Sequence, residues 1–282
     1  MKKMKWAAMF AAAVAMLGFT SCLNNDDDNS NYPGYEYVQI TSSIGYYSFR
    51  NASGYTLTPT NQGDLSKVNF GSARYAVMSY QYNPDSINNV THTVDITVTG
   101  LAPVETYRNL YNESEVTSFA NAPFYAVGVD SYAAPYFDKN TLFILAAYYA
   151  KLDSDGDLDE ASTNHTFGLY YDANAEPEAM YSDDLVMTLY HHVTDTNLNK
   201  ERTQFTSKYL HFDISSAVAA YQSKNGELPD QIVIKYKTPD TSMGGTDYEK
   251  LLDYANAKDA TNPLQIPYQR YFAEDSNSST NN

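Results

Sequence analysis

Between residues 91 and 99 polar and apolar side chains alternate, with Thr93, Asp95, Thr97 and Thr99 set against Val94, Ile96 and Val98. A period of two belongs to a strand with one buried face and is of no use to a helix. From Tyr35 onward much of the chain is written the same way, in short runs of β-branched and aromatic residues separated by turn residues. Runs at 35–42, 44–50, 55–59, 73–82, 91–99 and 100–107 amount to about five strands in under ninety residues, the size of a small barrel. A second series at 124–132, 141–150, 165–171, 184–192, 208–214, 231–237 and 246–254, with longer polar connections, fits a β-sandwich. The mixed polar stretch 108–122 lies between the two and is the expected boundary. One segment reads as a helix: Ser215–Tyr221 is alanine-rich, has Ser or Asp213 to cap it, and meets a stop at Gly226 and Pro229. The expected fold class is therefore all-β, a small barrel followed by a sandwich, with one short connecting helix. The 27 tyrosines suit such a fold, because a half-buried strand packs the ring and leaves the hydroxyl wet.

The N-terminus is written differently. Lys2, Lys3 and Lys5 precede an apolar run at 6–19 and then Thr20, Ser21 and Cys22, the charged, apolar and small-residue order of a secretory signal at 1–21. The run is too short to span a bilayer, which takes about 20 residues. Cys22 is the only cysteine, and an unpaired cysteine in an exported chain asks for a special use. Thiol catalysis needs a base held by a fold; Cys22 instead leads into Asp26-Asp27-Asp28 in a polar segment, 22–34, that reads as a disordered acidic tether. Small residues directly before Cys22 resemble the lipobox of bacterial lipoproteins, with Phe19 where that motif usually has Leu. The resemblance implies fatty acylation of Cys22, palmitate included, and attachment to a membrane through the lipid. Leu23 resembles the Gram-negative pattern for outer-membrane delivery, and the acidic run resembles the surface-export signal of some Gram-negative lipoproteins.

Removing 1–21 takes away three lysines and no acidic residue, so the formal charge moves from −16 to −19. A phosphate backbone is bound by a basic stripe that releases counterions, and none is visible, so nucleic acid is excluded as a partner.

Taken in order, Cys22 with Asp26-Asp27-Asp28, then Tyr46-Tyr47-Ser48-Phe49 and Gly54 to Pro59, then Leu189-Tyr190-His191-His192, Tyr209 to Ile214 and Ile232 to Lys237 resemble the NigD-like lipoproteins. The resemblance implies an N-terminal OB-type barrel, here 35–115, and a C-terminal β-sandwich, here 120–254. It leaves 255–282 as a tail, whose composition reads as largely disordered. It also implies a bacteriocin-immunity role of the kind for which that family is named.

The most specific local chemistry is the run Asp153, Asp155, Asp157 and Asp159 around Gly156, alternate carboxylates of the sort that hold calcium. As an EF-hand it fails, with Leu158 at the glycine position and Asn164 at the bidentate one; a shorter calcium loop stands beside a solvated hairpin tip. His92, His165, His191, His192 and His211 have no metal-ligand spacing and read as strand-surface residues, with His211 expected on a polar face. No GxSxG, P-loop or GxGxxG occurs, so no catalytic residue is assigned. The expected function is a non-catalytic, surface-exposed module of the outer membrane that binds a protein. A glycan-binding lipoprotein is the alternative, with exposed tyrosines and carboxamides against the sugar, and a hydrolase is the third reading.

Overall fold

Strand alternation becomes a closed barrel in the first half of the molecule. The computed structural model describes residues 31–43, 46–151, 165–175, 178–194, 199, 201–243 and 247–272. The chain divides into two compact units, one reaching Thr106 and including Asp130–Asp138, the other made of Tyr107–Val129 and the chain from Lys139.

In the first unit β1 (Tyr32–Ser43), β2 (Tyr46–Asn51), β3 (Thr56–Pro59), β4 (Tyr75–Tyr82) and β5 (Thr93–Thr106) form the sheet. The pairings β1–β2, β2–β3, β1–β4 and β4–β5 are antiparallel, and a parallel pairing of β3 with β5 closes the ring. The cyclic order β1-β2-β3-β5-β4 is that of an OB barrel. Val94, Ile96 and Val98 all point inward, as their alternation requires, and pack with Val38, Phe49 and Met78. The runs at 91–99 and 100–107 are one strand, irregular where its partner shifts register between Ser79 and Tyr80; such a bulge lets one strand turn a barrel corner. Helix α1 (Gln62–Leu65) sets Leu65 in the core, and the amides beside it stand in for missing ladder bonds. Asn61 donates to the Val98 carbonyl at 2.9 Å and accepts from its N–H at 3.0 Å, while Gln62 does the same for Tyr47 at 2.7 and 2.9 Å.

The second unit adds β6 (Arg108–Leu110), α2 (Glu113–Phe119) and β7 (Ala126–Gly128). After β8 (Tyr136–Asp138), which belongs to the first unit, come β9 (Thr141–Ala150), β10 (His165–Tyr170), β11 (Leu185–Val193), β12 (Gln204–Asp213), α3 (Ser215–Asn225), β13 (Gln231–Lys235), β14 (Lys237–Thr238), α4 (Tyr248–Leu251), β15 (Lys258–Asp259), β16 (Leu264–Pro267) and α5 (Gln269–Phe272). One sheet runs β12-β9-β7 and the other β16-β13-β11-β10-β6. They face each other as a sandwich: Tyr148 of β9 meets Phe167 of β10 with ring centres 5.4 Å apart, and Tyr107 touches both Phe167 and Phe212 of β12. The parallel pair β11–β13 needs a crossover, which β12 and α3 provide. Asp213 accepts from the Ser215 N–H at 2.9 Å at the start of α3, and Gly226, at φ +83°, ends it in the left-handed conformation.

Several expectations are corrected. The boundary falls at Thr106/Tyr107 rather than inside 108–122, because 108–110 pairs with β10 and 113–119 folds as α2. Of 124–132 only Ala126–Gly128 is strand. Asp130 instead accepts from the Tyr35 hydroxyl at 2.7 Å and from the Tyr132 N–H at 2.8 Å, a turn that starts the return to the first unit. The run 246–254 is not a strand; Asp247 caps α4 through the Lys250 N–H, and Leu251 and Leu252 are buried. The described part of the expected tail is structured: Leu264 and Ile266 lie on an edge strand paired with β13, and Tyr268 is fully buried, its hydroxyl donating to the Lys139 carbonyl at 2.7 Å. Helices are more numerous than the one expected, though all but α3 are short.

Candidate functional site

Strand geometry first gathers a site on the outer face of the five-stranded sheet. β11 buries every second residue, from Leu185 to Val193, so Val186, Thr188 and Tyr190 face away from the sandwich interior. Register then lines up Tyr170, Thr188 and Lys235 across three strands. Helix α3 contributes Tyr221 and Lys224, and the connection after β10 contributes Tyr171, Asp172, Glu178 and Asp184. Together they enclose a cleft of about 220 Å³. Its walls are tied down by the cations: Lys235 pairs with Glu178 and lies over the Tyr181 ring, and Lys224 donates to the Ala175 carbonyl at 3.1 Å. Burial raises the Asp184 carboxyl above the usual range, and Asp230 and Asp183 raise it further. Burial likewise pushes up the Tyr170 and Tyr171 hydroxyls, with Asp172 adding to both. The cleft therefore offers neutral phenols beside ionic groups of both signs.

A second cleft, of about 460 Å³, opens at one end of the barrel. Its two rims are turns fixed by their own side chains. Asn51 accepts from the Tyr55 N–H at 2.9 Å across the β2–β3 turn, where Gly54 takes φ +86°. In the β4–β5 connection Asn83 accepts from Asp85 N–H at 2.9 Å, and Asn88 from the N–H groups of Val90 and Thr91 at 3.0 Å. Tyr55 joins the rims by donating its hydroxyl to Asn89 Oδ1 at 2.7 Å. Tyr80 and Tyr82 stand between them with ring centres 6.1 Å apart and planes at 45°, over a floor of Leu57, Ile87 and Val94. The Tyr80 hydroxyl donates to Glu36 at 2.6 Å; burial raises its pKa, and the Glu36 bond raises it further.

The histidines differ from expectation most. His165, His191 and His211 are buried, the last because β12 is covered on both faces where Leu210, His211 and Phe212 follow one another. Only His192 of the adjacent pair faces outward, half-buried, with Nδ1–H donating to the Phe119 carbonyl at 2.7 Å. His165 Nδ1 and His191 Nε2 lie 2.9 Å apart inside the sandwich, and His191 Nδ1 is 3.4 Å from the Pro123 carbonyl. One neutral tautomer satisfies all of this: His191 donates to Pro123 and accepts from His165. Burial, and then His165, hold the His191 pKa well below the usual histidine value. Sequence distance hid the pair, since only the register of β10 on β11 brings the two residues together. Cys22 and the run Asp153, Asp155, Asp157 and Asp159 lie outside the described residues. Among the described residues no three His, Cys, Asp or Glu side chains are grouped to hold a metal.

No protein-family profile matches the chain, and no curated protein does. Solved structures do. A candidate lipoprotein from Bacteroides fragilis NCTC 9343 aligns at TM-score 0.59 and 20% identity, over 85% of this chain and 98% of that one. The two share a fold. An uncharacterised protein from Parabacteroides merdae ATCC 43184 aligns at TM-score 0.49 and 12% identity, over 83% and 99% of the two chains. A NigD-like immunity protein from Bacteroides caccae ATCC 43185 aligns at 0.44 and 13%, over 86% and 99%.

Proposed function

We propose that the protein is an envelope lipoprotein, acylated at Cys22 and displayed on the outer membrane by a tether that ends before Tyr32, since 32–34, expected as its last residues, pair with β4 as the start of β1. It acts there without catalysis, by binding a protein partner through the cleft on the five-stranded sheet. The observation that carries the binding reading is the row Tyr170, Thr188 and Lys235, walled by Tyr171 and Tyr221. Tyrosines held in a cleft and bordered by charges of both signs match the composition of protein interface cores and rims. The exposed Met180 on the neighbouring connection extends that surface with a flexible apolar contact. Both cations of the cleft and one of its carboxylates are occupied structurally: Glu178 is neutralised by Lys235, and Lys224 is held by a backbone carbonyl. That favours recognition over acid–base work. The resemblance to NigD-like proteins makes a bacteriocin-type toxin one partner of this kind.

The test is capture from intact cells after surface crosslinking, with the native protein beside Cys22→Ala and Tyr170→Ala. The expected result is one protein enriched by the native chain and lost with either substitution, together with labelling of Cys22 by a palmitate analogue. Unlabelled protein would sink the anchor. Equal capture by Tyr170→Ala would sink the cleft.

A further inference from the structure

The cleft at the end of the barrel is chemically unlike the one on the sandwich. Its lining carries Tyr55, Tyr80 and Tyr82 with the amides of Asn51 and Asn89 and the hydroxyl of Ser53, and among the described residues no Lys, Arg, His, Asp or Glu lines it. An ionic ligand finds no countercharge there, and the formal charge of −16 on the chain repels anions in addition. A peptide bound in extended form would need an open strand edge, but β3 pairs with β2 on one side and β5 on the other, from Thr56↔Thr93 to Pro59↔Ile96. What remains is side-chain chemistry: ring faces to pack against C–H groups, and amides and hydroxyls that both donate and accept.

We propose that this cleft binds an uncharged saccharide, with the half-buried rings of Tyr55 and Tyr82 against the sugar faces and Asn51, Ser53 and Asn89 bonded to its hydroxyls. The volume of about 460 Å³ falls within the range of about 300–1,000 Å³ for small-ligand sites. The rims are set before ligand arrives, since Tyr55 is already bonded to Asn89 and Asn51 already closes its turn. Binding therefore has little loop ordering to offset. This site is independent of the protein-binding cleft, which lies on the other unit.

The test uses the purified full-length protein in a detergent without a sugar headgroup. Saturation-transfer NMR is run with maltohexaose, xylohexaose, mannohexaose and chitohexaose, and with hexagalacturonate as the charged counterpart. Affinity is then followed by tyrosine fluorescence on protein processed at Cys22, which has no tryptophan because Trp6 is the only one in the chain. The expected result is transfer to at least one neutral oligosaccharide and none to hexagalacturonate. Tyr82→Leu should weaken binding by roughly ten-fold or more, and Tyr170→Leu should leave it unchanged. Asn89→Ala, on an exposed rim, should also weaken binding and serves if Tyr82→Leu does not fold. Silence from every neutral oligosaccharide, equal binding of hexagalacturonate, or equal loss from Tyr170→Leu overturns the proposal. None of these outcomes bears on capture of a protein by the other cleft.

Discussion

Gly34 on β1 sits directly across from Tyr80 on β4, and a Cβ built at Gly34 would lie 2.2 Å from the Tyr80 ring. The ring is folded over the bare backbone, and this carries its hydroxyl to Glu36, two residues along the same strand. Glycine is needed here for room: the backbone conformation is ordinary, but no other residue leaves space for the ring. Gly34→Ala should therefore destabilise the barrel by about 1–3 kcal/mol, the usual cost of overpacking. Adding Tyr80→Leu should recover part of that loss, because the smaller side chain vacates the collision. Urea unfolding of the two single variants and the double variant measures the coupling; strictly additive losses would show that the two residues do not collide.

Gly226 makes the opposite case. Nothing lies within 4 Å of a Cβ built there, but the residue sits at φ +83° after the last turn of α3. Gly226→Ala should cost about 1 kcal/mol through backbone strain alone. Gly226→Asn should cost less, since asparagine tolerates the left-handed region. If Ala and Asn prove equally costly in chemical denaturation, the left-handed cap is not the cause.

How much of this was legible beforehand depended on the range of the interaction. Alternation at Val94, Ile96 and Val98 states its own strand and buried face, and the bounds expected for 141–150 coincide with β9. The stop at Gly226 is equally local; the expected cap is not met as such, because Ile214 holds the N-cap position without a side-chain bond and Asp213, one residue earlier, accepts only from the Ser215 N–H. Partnership is a different matter. Tyr170, Thr188 and Lys235 are far apart in sequence, and only antiparallel and parallel register place them in one row. His211 is buried beside Leu210 and Phe212 because those neighbours imply a wet face opposite them only where a strand has one, and β12 has neither face wet there. Tyr268 lay in a stretch that composition marked as tail, yet one pairing with β13 and one buried ring are enough to order it.

The ion pair between Lys235 and Glu178 should matter for recognition more than for stability. Both side chains are substantially exposed, at 34% and 58%, and exposed pairs contribute about 0–1 kcal/mol. Lys235→Ala should thus leave the melting temperature within a few degrees and weaken partner capture, because the connection after β10 loses its tie to β13. Raising the salt concentration should weaken capture by the native protein in the same direction. A large drop in melting temperature, with capture unchanged, would place the pair in the fold and outside the site.

The buried pair of His165 and His191 sets an acid limit on the sandwich. His191 faces His165, the Pro123 carbonyl, Tyr148, Phe124 and Phe167, with the positive charge of Arg202 and the neighbouring His192 acting on it. A proton on His191 meets no acceptor of opposite charge among these groups. Its folded pKa is depressed while the unfolded value stays near 6.5, so below pH 6.5 the unfolded chain binds a proton that the folded chain refuses. Stability is accordingly full above about pH 6.5 and falls as the pH drops from there toward the depressed folded value. The slope from this group approaches about 1.4 kcal/mol per pH unit, one proton's worth. Replacing both residues, in His165→Phe with His191→Phe, removes the donor and the acceptor together and should flatten that slope between about pH 5 and 6.5. Urea unfolding at closely spaced pH values reads it directly; an unchanged slope in the double variant would mean that the acid sensitivity arises elsewhere.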